Sequence, residues 1–271
     1  MINSVVQRKR SFLVSKEWLM IPWTLLPKIP HQVLQDLLME LPGIFEDQDT
    51  LPQAAHPSLL ARCLDLEARI KAWYGNYIST HPGPPYWLEF STLNIEPPVF
   101  PTRYQFPTIG VANTHTLYWA NLVLIHSAII RLTPASQRSL AAADGIFDLA
   151  AQICMAIEYY ISPARKSYGP MLALYPLRIA TECFKRMGPR GEKSTLWCKA
   201  VFKILEERGI ALGAVVEEIL WESKEAERVW GVKGWAGRMF WERMEEGWIE
   251  SAGAGEQERR IAQEVGGGNG I

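Results

Sequence analysis

Apolar residues recur three and four positions apart along most of this chain, and proline or glycine stands at the breaks. That period belongs to helices with one buried face; strands need strict alternation. In "HQVLQDLLMEL" the stripe is Val33, Leu34, Leu37, Leu38 and Leu41, entered through Pro30 and expected to stop at Pro42-Gly43. A longer helix is predicted over 58–78, with Leu59, Cys63, Leu66, Ile70 and Ile78 on its stripe. Further helices are expected over 110–132, 136–161 and 171–187, separated by Thr133-Pro134 and by the turn "SPARKSYGP". Pro170 suits a first helical turn, Pro176 marks a kink, and Gly188-Pro189 ends the last of these. "STLWCKAVFKILEERG" follows, with Gly209 as its terminal glycine. Two more helices are expected at about 211–230 and 235–249, joined by the turn "GVKGWAG".

One of these stripes is unusually broad. Ile146, Leu149, Ile153, Ile157 and Tyr160 are flanked by Phe147, Cys154 and Ile161, so this helix needs more than one neighbour. The short turn after it implies an antiparallel pair, Ala150–Ile161 against Met171–Met187, with Cys154 and Cys183 in the seam. Residues 81–108 break the pattern. They hold seven prolines and several aromatics, with no alternation long enough for a sheet, and read as an ordered, extended loop packed across the helices. The expected fold class is therefore all-α: a multi-helix antiparallel array over 1–250 with that loop, then a disordered tail over 251–271.

Composition narrows the function classes. Apolar residues make up 48% of the 271, which supports a large core, and the eleven tryptophans suggest an aromatic interior or a partner-facing surface. A net charge of −1 gives no global field for nucleic acid. Leu117–Ile130 is apolar but only 14 residues long and contains Asn121 and His126, so it reads as a core helix, with no membrane expected as partner. The triplet Arg8-Lys9-Arg10 is read as a solvated charged segment, with a nuclear import signal or a phosphate contact as the alternatives.

No arrangement of residues makes a convincing active site. Cys63, Cys154, Cys183 and Cys198 are too widely spaced for a ligand pair and fall on apolar stripes, so no metal and no cofactor is expected. Their sparse use, with no signal-peptide pattern, is that of a reducing compartment. His115 and His126 lie three turns apart on one helix face and could join Glu158 as an acid–base set, but core packing is the simpler reading. Glu158 and Arg178 sit in apolar runs, and a buried charge needs a partner, so a helix–helix ion pair between them is expected. No phosphate loop, zinc-protease or nucleophile-elbow motif is present, and no catalytic residue is assigned.

Several segments, in order, carry a resemblance: "RKRSFLVSKEWLMIPW", "LLMELPGIFEDQD", "YWANLVLIHSAI", "AAQICMAIEYY" with "GPMLALYPLRIA", and "WCKAVFKILEERG". Together they resemble the C-terminal half of the helical regulatory domain of fungal zinc-cluster transcription factors, over roughly residues 5–210. The resemblance implies a regulatory, protein-interacting or self-associating domain acting in the nucleus. The resembling segments correspond to part of such a factor, so a truncated factor, a cleaved half and a stand-alone regulatory domain are the alternatives that the resemblance leaves open. The zinc cluster of that family needs six closely spaced cysteines, which this sequence lacks, so no specific DNA binding by this chain is expected. Two other classes remain open: a sensor enclosing a small-molecule effector in an aromatic-lined pocket, and an enzyme of unfamiliar type. A large exposed apolar patch would favour the interaction module, convergent polar groups in a pocket the sensor, and a nucleophile–base–orienter set the enzyme.

Overall fold

The structure, a computed structural model, describes residues 2–210 apart from Pro97. The helices expected at about 211–230 and 235–249, the turn between them and the tail over 251–271 lie outside the described residues. Within them the chain is all-α, with one two-stranded hairpin. The helices are α1 (Ile2–Gln7), α2 (Lys16–Met20), α3 (Pro30–Leu38), α4 (Leu41–Thr50), α5 (His56–Thr80), α6 (Ile109–Leu132), α7 (Leu140–Tyr160), α8 (Tyr168–Arg186) and α9 (Glu192–Glu207).

The punctuation works as the local chemistry requires, with one exception. Thr108 caps α6 by accepting from the Val111 amide at 3.2 Å, and Ser139 caps α7 through the Ala141 amide at 3.2 Å. Gly209 takes a positive φ of 80° just past α9. Pro176 stands inside α8 without ending it. Pro42-Gly43, expected to stop a helix, instead opens one. α3 has already ended at Leu38, and Pro42 lies in the first turn of α4, where its missing N–H costs nothing.

Successive long helices run antiparallel, as cross-contacts show. Glu67 of α5 meets His126 of α6, while Tyr74 stacks on Tyr118 with ring centroids 3.8 Å apart. Thr116, early in α6, shares a hydrogen bond of 2.8 Å with Tyr160 at the end of α7. The Cys183 thiol near the end of α8 points at the Ile146 carbonyl near the start of α7. Arg208, just past α9, donates to the Ile161 carbonyl at the α7–α8 turn. Cys154 and Cys183 are both buried, as the sequence suggested; Cys183 faces α7, and the sulfur of Cys154 lies against that of Cys198 on α9.

α7 occupies the centre, between α6, α8 and the second hairpin strand. Ile146, Ala150, Ile153, Ala156, Ile157 and Tyr160 are all fully buried on it, which is what the breadth of its stripe demanded. The hairpin is the part of 81–108 that the sequence reading did not anticipate. Strands β1 (Trp87–Phe90) and β2 (Thr102–Gln105) pair antiparallel, with Glu89 opposite Arg103. All seven prolines fall outside the two strands, where no ladder hydrogen bond is lost. At four residues each, the strands are too short to register as an alternation. Among the described residues no helix is long and apolar enough to cross a membrane.

The α8–α9 corner leaves no room for a side chain. A Cβ on Gly191 would run into the Phe184 carbonyl oxygen and lie 2.7 Å from its carbon and 2.9 Å from its Cα, all backbone atoms that cannot swing aside. Gly191→Ala should therefore destabilise the protein by about 1–3 kcal/mol. Gly75→Ala, at a position with open space, should not destabilise it. Denaturant midpoints of the two variants check this.

Candidate functional site

Glu158 is a buried charge tied to a segment far away in sequence. It sits on α7, 5% exposed, facing the hairpin. Its Oε2 accepts from the Ser91 hydroxyl at 2.7 Å. Its Oε1 accepts from the Thr92 amide at 2.9 Å, the Thr92 hydroxyl at 2.5 Å and the Arg103 guanidinium at 2.6 Å. The other Arg103 nitrogen reaches Glu89 at 3.0 Å across the hairpin. Burial pushes the Glu158 carboxyl up, but the hydrogen bonds from Thr92 and Ser91 and the Arg103 charge outweigh it and hold it below its ordinary range. The arrangement pins the proline-rich segment to the central helix.

Arg178 is buried too, but it does not meet Glu158. Its guanidinium pairs with Glu182 one turn along α8, at 2.9 Å, and Glu182 is also approached by Lys185 at 3.3 Å and Arg186 at 3.7 Å. The expected helix–helix ion pair is thus replaced by a hairpin clamp on α7 and a local cluster on α8. An i,i+4 partner needs no offset to be spanned, and it wins.

The histidines separate as well. His126 bonds Glu67 at 2.9 Å, and His31 meets the Thr114 hydroxyl at 3.0 Å. His115 is fully buried, with its Nδ1 donating to the Val111 carbonyl at 2.8 Å. Tyr74, Tyr77, Tyr86, Phe106 and Trp119 surround it, each with its ring centroid 5.3 to 5.9 Å away. Its Nε2 has no hydrogen-bond partner. Burial lowers its pKa to about 4, so the ring is neutral at pH 7 and presents a lone pair to an aromatic interior. His115, His126 and Glu158 each hold a different partner and form no acid–base set.

The cysteines behave as core residues. All four are buried, and the Cys154 and Cys198 sulfurs lie 3.6 Å apart. Burial pushes the Cys63 thiol up to about 11 and the Cys183 thiol up to about 12, which leaves almost no thiolate at neutral pH.

Arg8-Lys9-Arg10 is solvated in part, as the sequence suggested for the whole triplet: Lys9 and Arg10 are exposed, and Arg8 is not. Arg8 is buried, with its guanidinium over the Phe45 ring at 4.5 Å and forked onto Asp49 at 2.5 and 2.7 Å. Arg10 reaches Asp47 at 2.8 Å and Glu46 at 3.5 Å. The acidic run "EDQD" at the end of α4 thus holds the start of the chain.

Beyond that anchor lies the feature with most bearing on function. Phe12, Trp18, Met20, Ile21, Leu25, Leu26 and Ile29 are all exposed, Leu25 by 92% and Leu26 by 72%. Phe12 and Trp18 meet edge to face at 5.6 Å. The segment folds into α2 and two short 3-10 turns, too short to sink a continuous face into the core. Its far end is tied down by Lys28, which donates to the Leu19 carbonyl at 2.6 Å and to Asp36 of α3. The sequence reading assigned this stretch no exposed face. The signal lay in Pro22, Pro27 and Pro30, which cut an apolar run into pieces shorter than a helix can bury.

No family model, no curated protein and no solved structure matches this chain.

Two outcomes test this description. Glu158→Gln keeps the volume and removes the charge that gathers Ser91, Thr92 and Arg103, so it should cost about 1.5–3 kcal/mol. Hydrogen exchange should quicken first in residues 87–105. The second outcome concerns pH. An unfolded histidine protonates near 6.5 and folded His115 only near 4, so the unfolded chain binds the extra proton between those values. Stability should be complete above pH 6.5 and fall by up to about 3 kcal/mol as pH drops to 4. His31, lowered by burial, adds in the same direction, and Glu158 adds its own loss only below 4.5. Denaturant titrations of the parent and His115→Phe over pH 4.5–7 check this, since the variant should lose the larger part of the slope.

Proposed function

We propose that this chain is a regulatory domain of transcription-regulator type, working through protein contacts in the nucleus and carrying no DNA-binding module of its own. The observation that carries the reading is the exposed apolar face from Phe12 to Ile29. Seven large apolar side chains are exposed within eighteen residues of one segment, more than the scattered singles of an ordinary surface, and large exposed apolar patches mark sites of protein contact. The face includes a tryptophan and a phenylalanine, residue types enriched at interface centres. The ordered succession of segments resembling the fungal zinc-cluster regulatory domain, and an all-helical architecture, support the same reading. The buried histidines and cysteines are engaged in packing, and the reading assigns none of them catalysis.

A sensor function is the second reading, and one observation favours it. The His115 Nε2 is an unpartnered acceptor inside a shell of five aromatic rings. A small aromatic or heteroaromatic effector with one N–H or O–H donor has the matching chemistry.

The test is to tether the chain to an unrelated DNA-binding domain and measure a reporter. The tethered chain should shift transcription several-fold, and the double variant Leu25→Asp/Leu26→Asp should return it to baseline with the fold intact. A folded, expressed fusion that leaves the reporter unchanged would overturn the proposal. The untethered chain should show no preference for any duplex over scrambled sequence at physiological salt.

A further inference from the structure

Two thiols from different helices meet in the core. Cys154 on α7 and Cys198 on α9 lie with their sulfurs 3.6 Å apart, and both residues are buried. Cys183 is near them on α8, but its thiol points at the Ile146 carbonyl, 3.9 Å away. Cys63 is buried on another helix, α5. Among the described residues no three potential ligands come together to hold a metal ion. Two adjacent thiols have one reaction with each other, oxidation to a disulfide.

The packing of α9 sets their approach. At its start the α8–α9 corner is closed tightly, since a Cβ on Gly191 would collide with the Phe184 carbonyl. At its end Arg208 donates to the Ile161 carbonyl. Cys198 lies between these two ties, among the buried residues Trp197, Val201, Phe202 and Leu205. Disulfide sulfurs are about 2.05 Å apart, so this pair has to close by about 1.5 Å, less than the length of one carbon–sulfur bond.

We propose that Cys154 and Cys198 are a redox-sensitive pair, which a peroxide oxidant converts to a disulfide joining α9 to α7. With hydrogen peroxide, one sulfur attacks a peroxide oxygen as the thiolate. The O–O bond breaks, the sulfur becomes a sulfenic acid, and the hydroxide departs as water with the proton that the thiol gave up. The second sulfur then displaces the sulfenic oxygen, which leaves as a second water with the second thiol proton, and the S–S bond forms. Two thiols lose two electrons and two protons, and one hydrogen peroxide becomes two waters. Burial, and then the neighbouring Cys198 thiol, push the Cys154 thiol well up. Thiolate is therefore scarce, and oxidation proceeds slowly, through transient opening of α9. The adjacent thiol captures the sulfenic acid before more peroxide carries it to the irreversible sulfinic acid. A dithiol reductant restores both thiols. The disulfide closes a loop that contains the whole of α8, and it fastens α9, which packs chiefly on α8, to the central helix. This inference is independent of the regulatory reading.

The experiment treats the full chain with hydrogen peroxide, blocks the remaining thiols with N-ethylmaleimide under denaturant, and maps the peptides by mass spectrometry. A peptide pair joining Cys154 to Cys198 is expected, with two blocked thiols per chain in place of four and all four regained after dithiothreitol. Amide exchange in α9 should be about tenfold slower or more in the oxidised chain, with α5 unchanged. Cys154→Ala and Cys198→Ala should each abolish the linked pair, and Cys63→Ala should leave it intact. The linkage mapped in the parent decides the matter even where a variant fails to fold. If the folded chain keeps four free thiols under peroxide that oxidises the same chain in urea, the contact is packing only and the proposal is overturned. Sulfinic acid on single cysteines, or linkage through Cys63, Cys183 or a second copy, overturns it as well.

Discussion

α7 presents apolar side chains around most of its circumference, and water must be kept from all of them. A helix of that kind is stable only inside a shell, because each large aliphatic or aromatic group left exposed forfeits roughly 1.5–3 kcal/mol. α6 and α8 cover two sides, and the hairpin strand β2 covers another. The chain therefore uses its least regular segment, the proline-rich stretch over 81–108, as a structural wall. A loop that walls a core must be held in one place. Glu158, the carboxylate of α7 that faces this segment, supplies the holding point by collecting four donors from it and its second strand. Desolvating that carboxylate is costly, and the charge-assisted bonds offset the cost only while the hairpin is in place. Clamp and wall are thus mutually dependent.

This dependence explains what could be read from the sequence and what could not. The helices from α5 to α9 follow from local periodicity and local punctuation, and their antiparallel order follows from short turns. Those signals sit within a few residues of one another. The hairpin pairs Trp87 with Gln105 and Phe90 with Thr102 across an irregular loop, and the Glu158 partners lie 55 to 67 positions away, so no local pattern carries that information. Burial of Glu158 and Arg178 was legible because their neighbours are apolar. Their partners were not, because a buried charge specifies that a counter-group exists without saying which. For Arg178 a partner lay one turn along its own helix, at Glu182. Pro42-Gly43 was misjudged for a related reason: proline is equally at home just past one helix and in the first turn of the next. α3 and α4 are so close together that both descriptions compete for the same residue.

The aromatic interior raises a second point about buried polarity. His115 has five ring neighbours and one backbone hydrogen bond, and protonation would place a cation where only ring edges and faces can receive it. The rings come from α5, from the ends of the proline-rich segment and from α6 itself. The neutral histidine therefore reports on the closure of three parts of the fold at once. Phe106 extends the same cluster to Tyr159 on α7, with centroids 5.2 Å apart. The wall that covers α7 and the cage that keeps His115 neutral are the same segment seen from two sides.

The start of the chain obeys a different rule. Arg8, at a positive φ of 52°, accepts a backbone conformation unfavourable for a non-glycine residue, and its guanidinium is forked onto Asp49 and stacked on Phe45. Twenty residues later Lys28 is fastened to Asp36 and to the Leu19 carbonyl. Charged contacts therefore pin both ends of a segment whose middle is apolar and exposed. Hydrophobic collapse alone would have drawn Leu25 and Leu26 inward. Three prolines and two polar anchors hold them out. An apolar surface presented on a segment fixed at both ends loses little conformational entropy when it is covered, so more of the burial energy remains for binding. Exposure held in place by such specific contacts is built into the local sequence rather than left by poor packing.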